Sequence, residues 1–455
     1  MFKPLSSQET LTKTSIMYLL IGQETFTKIF LLVLGHKIVQ KGWGTMKNLC
    51  SSFLMLLLIL LFCANLPFVG LVHANFLPPP VPEHSFEITS NGVVNGTSTI
   101  ERTGNVYTFT EDLVGSLVIS CDDIVVDGAG FSLQATGEKA GLWLQAINNV
   151  TLKNLVISNF THGIVLTHGF GGGCTNITVS GNTVTNNQYG LALWMFSNSN
   201  YFLGNVFSNN TYGICVEYSP NNVFRNNQMT QNQYNFCVTA DLSSGMAEFV
   251  NDIDDSNTVD GKPVIYWVNE HNKAVPSDAG YVGLINCTNI TVQNLVLTKN
   301  GQGVLLVGTN NCTIKENYLG NNEFGVLFQG SFANCFDNTI TKNNITANTE
   351  DGIFSWGSFN TSITANSITN NHADAIHFYD STNAYIVGNA VSGNINIDHP
   401  SLNTVYNNDA EIPDDEIPDM VPEFSTWVAV LLTASILAGI ILVYNRRITY
   451  NAEKN

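Results

Sequence analysis

The chain has 455 residues, of which 12% are charged and 44% hydrophobic, and its net charge is −18 at pH 7. Between Asn75 and Ser425, 33 acidic residues stand against 9 lysines and arginines, so the surface repels phosphate backbones and nucleic-acid binding is excluded. The length allows one large elongated domain, and the charge suits an extracellular protein or one that holds cations.

Residues 1–45 carry no recognisable element. From Met46 a pattern begins: basic Lys47, an apolar run from Phe53 to Ala64, then Val72-His73-Ala74 before Asn75. This reads as a secretory signal peptide over 46–74, which makes Met46 a rival of Met1 as the true start. Residues 75–94, with Pro78, Pro79, Pro80 and Pro82, read as a linker.

Residues 95–408 repeat. An asparagine recurs at Asn154, Asn182, Asn205, Asn227, Asn294, Asn317, Asn343, Asn366 and Asn389, with most gaps at 22 to 28 residues and one of 67, three periods. Two residues after each anchor the side chain is apolar, as in Val184, Phe207 and Leu319. Eight or nine residues after it a glycine often opens an alternating run, as in Gly190-Leu191-Ala192-Leu193. Period-2 alternation over four or five residues means a half-buried strand. A repeat this short holds two or three strands and no helix, so stacking it gives a parallel β-helix of rungs of about 22–23 residues. The anchors form a structural ladder of side-chain amides at one corner, where asparagine also tolerates the left-handed turn. Residues 241–280 lose the motif and read as an irregular excursion. Asp122, Asp123 and Asp127 fit turn chemistry at the entry, with a Ca²⁺ site as the other reading.

Residues 409–425 are an acidic, proline-rich stalk. Trp427 to Tyr444 is apolar and is followed by Arg446-Arg447, so 426–445 reads as a transmembrane helix and 446–455 as a cytoplasmic tail. The expected topology is a single-pass anchor with the β-helix on the outer face of the cell envelope. Sequons such as Asn176 and Asn360 make glycosylation feasible there.

Alternation places the second and fourth residues after each rung glycine outward. That face is unusually apolar and aromatic, and Trp143, Trp194, Glu217, Phe354, Trp356, His377 and Tyr379 are its candidate ligand contacts. Flat rings along a groove suit polysaccharide, while the competing reading is that 241–280 or a terminal segment covers the face. Glu217 is the one carboxylate on it, too few for hydrolysis, so no catalytic residue is assigned. His162 and His168 flank one strand on the same side and are the weak metal candidates, with Ca or Cu as the ions to consider. Cys174, Cys287, Cys312 and Cys335 occupy similar places in their rungs and are expected to stack as buried side chains. Cys312–Cys335 and Cys215–Cys237 are within bridging reach, although an odd total of seven argues against a full disulfide framework.

The entry VVDGAGFSLQATG, the segment SNTVDGKPVIYW and the rungs GVLLVGTNNCTIKENYLGNNEFGV resemble NosD-type β-helix proteins, within the wider class of carbohydrate-binding and sugar-hydrolase β-helices. The resemblance covers residues 95–395 and points to an archaeal surface branch. Pro422-Glu423-Phe424-Ser425 is similar to archaeal PEF-type sorting signals. The resemblance implies an all-β, right-handed parallel β-helix, an envelope location and a name linked to periplasmic copper delivery. The expected role is a non-enzymatic surface binding module with polysaccharide as ligand. The alternatives are a carbohydrate-active lyase or hydrolase, a copper-binding accessory protein, or a structural surface-layer or adhesion component.

Overall fold

The computed structural model describes residues 85–135, 140–170, 172–240, 245–329 and 335–408, and over them the chain forms a parallel β-solenoid of about twelve turns. Each full coil has one long strand and two short ones, as in Tyr189–Trp194, Tyr201–Leu203 and Val206–Ser208. Successive coils pair parallel and in register, so like residues stack: Leu191 on Ile214, Ile214 on Phe236, Val184 on Phe207. Phe202 and Phe224 stack with ring centres 4.7 Å apart. Alternation along each strand then sends one column of apolar side chains inward, and these are almost wholly buried.

The asparagines occupy the corners as buried ladders. Nδ2 of Asn205 donates to Oδ1 of Asn227 at 2.9 Å and to the Val179 carbonyl at 2.8 Å, while the Asn205 backbone N–H donates to the same Oδ1 at 3.1 Å. Asn182, Asn205 and Asn227 continue to Asn257, and Asn317, Asn343, Asn366 and Asn389 continue to Asn408. Parallel ladders run through Asn187, Asn210 and Asn232 and through Asn200, Asn222 and Asn251. Two anchors differ from expectation. Asn154 and Asn294 are exposed and sit one residue early, at φ 55 and 57, and Leu155 and Leu295 fill the ladder position. The rung glycines have their own reason: a Cβ on Gly303 would lie 2.6 Å from the Gly325 carbonyl oxygen of the next coil.

The solenoid starts earlier than residue 95. Phe86–Ile88, inside the expected linker, pairs parallel with Leu117–Ile119. The expected excursion is also mostly regular. Asp252–Ile253 and Thr258–Val259 extend the coils below them, and Lys262–Val268 and His271–Ala274 begin new ones. The 67-residue gap therefore holds ordered coils, with Asn257 keeping the ladder.

What does change within 241–280 is direction. Val259 and Lys262 pair antiparallel across the turn at Asp260 and Gly261, both at positive φ. One short-strand sheet of the first stack thereby passes into the long-strand sheet of a second stack. Tyr266, Tyr281, Ile285, Leu305, Val307 and Leu327 point away from the second stack's interior and belong to the apolar cluster of the first. Their neighbours Ile265, Val282, Leu284 and Leu306 form the second stack's own core. The outward long-strand face of the second stack thus closes the end of the first.

The segments 1–45, 46–74, 409–425, 426–445 and 446–455 lie outside the described residues. Among the described residues no helix is long and apolar enough to cross a membrane.

Candidate functional site

The joint makes an inner corner. Tyr212 Oη donates to Glu323 Oε1 at 3.2 Å, Tyr234 Oη and Thr349 Oγ1 are 2.5 Å apart, and Gln329 Nε2 donates to the Ala240 carbonyl. The rows nearest the joint are buried: Cys215 and Cys237 on one side, Leu305, Val307 and Leu327 on the other. These rows of the outward face are therefore covered. Their cover is the end of the first stack and the first coils of the second.

Beyond the joint both long-strand faces emerge. On the first stack, His162, Tyr189 and Tyr212 form a ring column with centres 5.1 and 4.8 Å apart, and the edge of Trp194 meets His162 at 4.8 Å. Glu217 stands directly opposite Trp194 on the next strand. Trp143 is different: it is 5% exposed and packs with Val118, Ala140, Val165 and Ala192, so it offers no sugar platform. His162 is engaged in the ring column and His168 is buried with Phe196 against its edge. These two histidines form no metal-donor group among the described residues.

On the second stack, Trp356 and Tyr379 stand opposite each other on neighbouring strands and stack with ring centres 3.9 Å apart. Phe354 meets the ring of His377 edge-on at 5.1 Å. Sequence reasoning selected these four and missed what lies beside them. Asp351 and Asp374 hold the same place in successive coils, and the Asp374 backbone N–H donates to Asp351 Oδ1 at 2.7 Å. His377 Nδ1 lies 3.4 Å from Asp351 Oδ2 and 3.8 Å from Asp374 Oδ2. Asn394 and Asn396 donate their amides to the two oxygens of Asp374 at 3.1 and 3.2 Å. Burial pushes the Asp351 carboxyl up, against the pull of the Asp374 N–H and of His377. Burial likewise pushes Glu323, at the joint, up to about 7. The 23-residue spacing of the two aspartates, one rung, was the readable signal.

The seven described cysteines are free thiols. Cys312 and Cys335 do not stack: Cys335 stands opposite Ser358, whereas the Cys312 N–H bonds to Asn338. Cys215 and Cys237 do stand opposite each other, also as thiols.

The sequence model of the family described as "Periplasmic copper-binding protein (NosD)" matches residues 86–275 and 255–410. No curated protein matches the chain. Among solved structures, the Azotobacter vinelandii mannuronan C-5 epimerase AlgE4 A-module is 17% identical, over 61% of this chain and 78% of that one, with a TM-score of 0.28.

Proposed function

The chain belongs to the NosD family, and on that premise we propose that it is an extracytoplasmic β-helix that binds a carbohydrate polymer along the inner corner between its two stacks. The observation that carries this reading is the half-buried Trp356–Tyr379 stack beside the polar cluster of Asp351, Asp374 and His377. A ring platform offers the apolar face of a sugar its partner, and adjacent carboxylates and amides take its hydroxyls. Trp194 and Glu217 form the opposite wall. The strands Gln302–Val307, Phe324–Gln329, Ile353–Trp356 and Ile376–Tyr379, and the turns leading into the last three at Glu323, Thr349–Asp351 and His372–Ala375, contain no lysine or arginine. The fitting polymer is therefore neutral rather than polyanionic.

The test is binding of the purified chain to an array of neutral and acidic polysaccharides. Saturable binding to a neutral polymer is expected, weakened about tenfold by the double variant Trp356→Ala/Tyr379→Ala at unchanged melting temperature. Equal binding by the double variant, or no binding at all, removes this reading. The same proposal places Met46–Ala74 as the export signal and Trp427–Tyr444 as the anchor. Truncation after Ser425 should release the protein from the membrane fraction, and a truncated form that still sediments with membranes argues against the anchor.

The family's description names copper, and periplasmic copper handling calls for a particular donor set. Cu(I) takes thiolates, thioethers and imidazoles gathered at one point. Here Met195, Met229 and Met246 lie in separate segments, and no third histidine, cysteine or carboxylate donor groups with Cys215 and Cys237 among the described residues. That donor set does not fit Cu(I).

A further inference from the structure

We propose that Asp351, Asp374 and His377 form a site for a divalent cation of the zinc and manganese class. One oxygen from each aspartate and one imidazole nitrogen lie within 4.8 Å of one another, the spacing of ligands around a single ion. The fold imposes this closeness. Asp351 and Asp374 stack in successive coils, and His377 follows Asp374 by three residues at the start of the strand Ile376–Tyr379.

Two further observations point to an ion rather than to an incidental acidic patch. Asp351 is 5% exposed; one of its oxygens accepts the Asp374 N–H at 2.7 Å, and the other lies 3.4 Å from His377 Nδ1. Two carboxylates are thus held side by side, one of them buried, with no lysine or arginine in the strands Ile353–Trp356 and Ile376–Tyr379 or in the turns leading into them to balance them. A divalent cation restores neutrality where a single imidazolium does not. The amides of Asn394 and Asn396 also clamp both oxygens of Asp374, the kind of support that orients a ligating carboxylate.

The donor set names the ion class. Two carboxylates and one imidazole suit Zn²⁺ or Mn²⁺; Ca²⁺ prefers six to eight oxygens, and Cu(I) prefers sulfur. Three protein ligands would leave the remaining coordination positions to water or a ligand. The site stands on its own geometry and does not depend on the carbohydrate reading.

The experiment uses the full chain, stripped with a chelator and titrated calorimetrically with Zn²⁺ and, separately, Mn²⁺. One equivalent with micromolar or tighter affinity for Zn²⁺ is expected, weakened at least a hundredfold by Asp374→Asn and by His377→Gln. Mn²⁺ bound at the same place should give an immobilised spin-resonance signal that Zn²⁺ displaces. Two variants are used so that a folding defect in one leaves the other decisive, and circular dichroism of each metal-free form monitors folding. Binding by the parent that is absent, weaker than millimolar, or unchanged in both variants overturns the proposal. Polysaccharide binding that survives such a result would leave the carbohydrate reading standing.

Discussion

Tyr212 donates its hydroxyl to Glu323 across the joint of the two stacks, at 3.2 Å. Burial raises the Glu323 carboxyl to about 7, Glu350 adds to the rise and the tyrosine opposes it. A carboxyl whose folded value is raised binds its proton more tightly in the native state. Its contribution to stability is full below the unfolded value near 4.5 and is lost as pH climbs through 7. The melting temperature should therefore fall between pH 5 and pH 8, by an amount equivalent to about 2 kcal/mol after allowance for partial solvent screening. Glu323→Gln keeps an acceptor for Tyr212 and cannot ionise, so its melting curve should be flatter over that range. Parallel pH profiles for variant and parent would contradict this account of the joint.

Leu305 is outward on its own strand yet completely buried, because the first stack ends against it. Truncating it removes apolar contact from the joint and leaves a cavity there. Leu305→Ala should cost about 2–4 kcal/mol, as in a core, whereas a simple solenoid with an exposed outward face would give less than 0.5. Denaturant unfolding of the two proteins decides between these values.

Asn205 is the middle of a ladder in which every polar atom of the amide is used. Asn205→Leu keeps the size but strips Asn182 of the acceptor for its backbone N–H and its Nδ2. A cost of roughly 2–4 kcal/mol is expected, since buried donors are left unpaired. Asn154→Gly, which keeps the left-handed turn at an exposed position outside the ladder, should cost far less. Equal losses in the two variants would mean that the ladder does not support the stack.

This contrast also shows where the sequence was legible. The repeat, its period and its alternating strands follow from local spacing, which a parallel in-register stack reproduces coil after coil. Register at the ends does not: Lys153-Asn154-Leu155 and Gln293-Asn294-Leu295 place an asparagine in the turn one residue early, and only the partner coil reveals that leucine takes the ladder place. The change of direction at Asp260-Gly261 is a tertiary event, and the burial of Leu305 and Leu327 depends on it. Asp351 and Asp374 were missed for a related reason. Their shared chemistry appears only when one rung is laid on the next.

The cysteines give the last prediction. Burial pushes the thiols of Cys174 and Cys312 to about 11 and that of Cys335 to about 12, and the Cys215 contact together with burial drives Cys237 well up. At pH 8 a thiol near 11 is ionised in roughly one molecule in a thousand, and the thiolate is the reactive form. Cys121 alone among the seven is partly exposed. Alkylation of the native chain, mapped by peptide, should therefore mark Cys121 within minutes and Cys174, Cys215, Cys237, Cys287, Cys312 and Cys335 at least about a hundredfold more slowly, because they wait for local opening. In denaturant all seven should react without prior reduction. If Cys215 and Cys237 became reactive only after reduction, they would be bridged in the mature protein, and the last two coils of the first stack would be covalently tied beneath the joint.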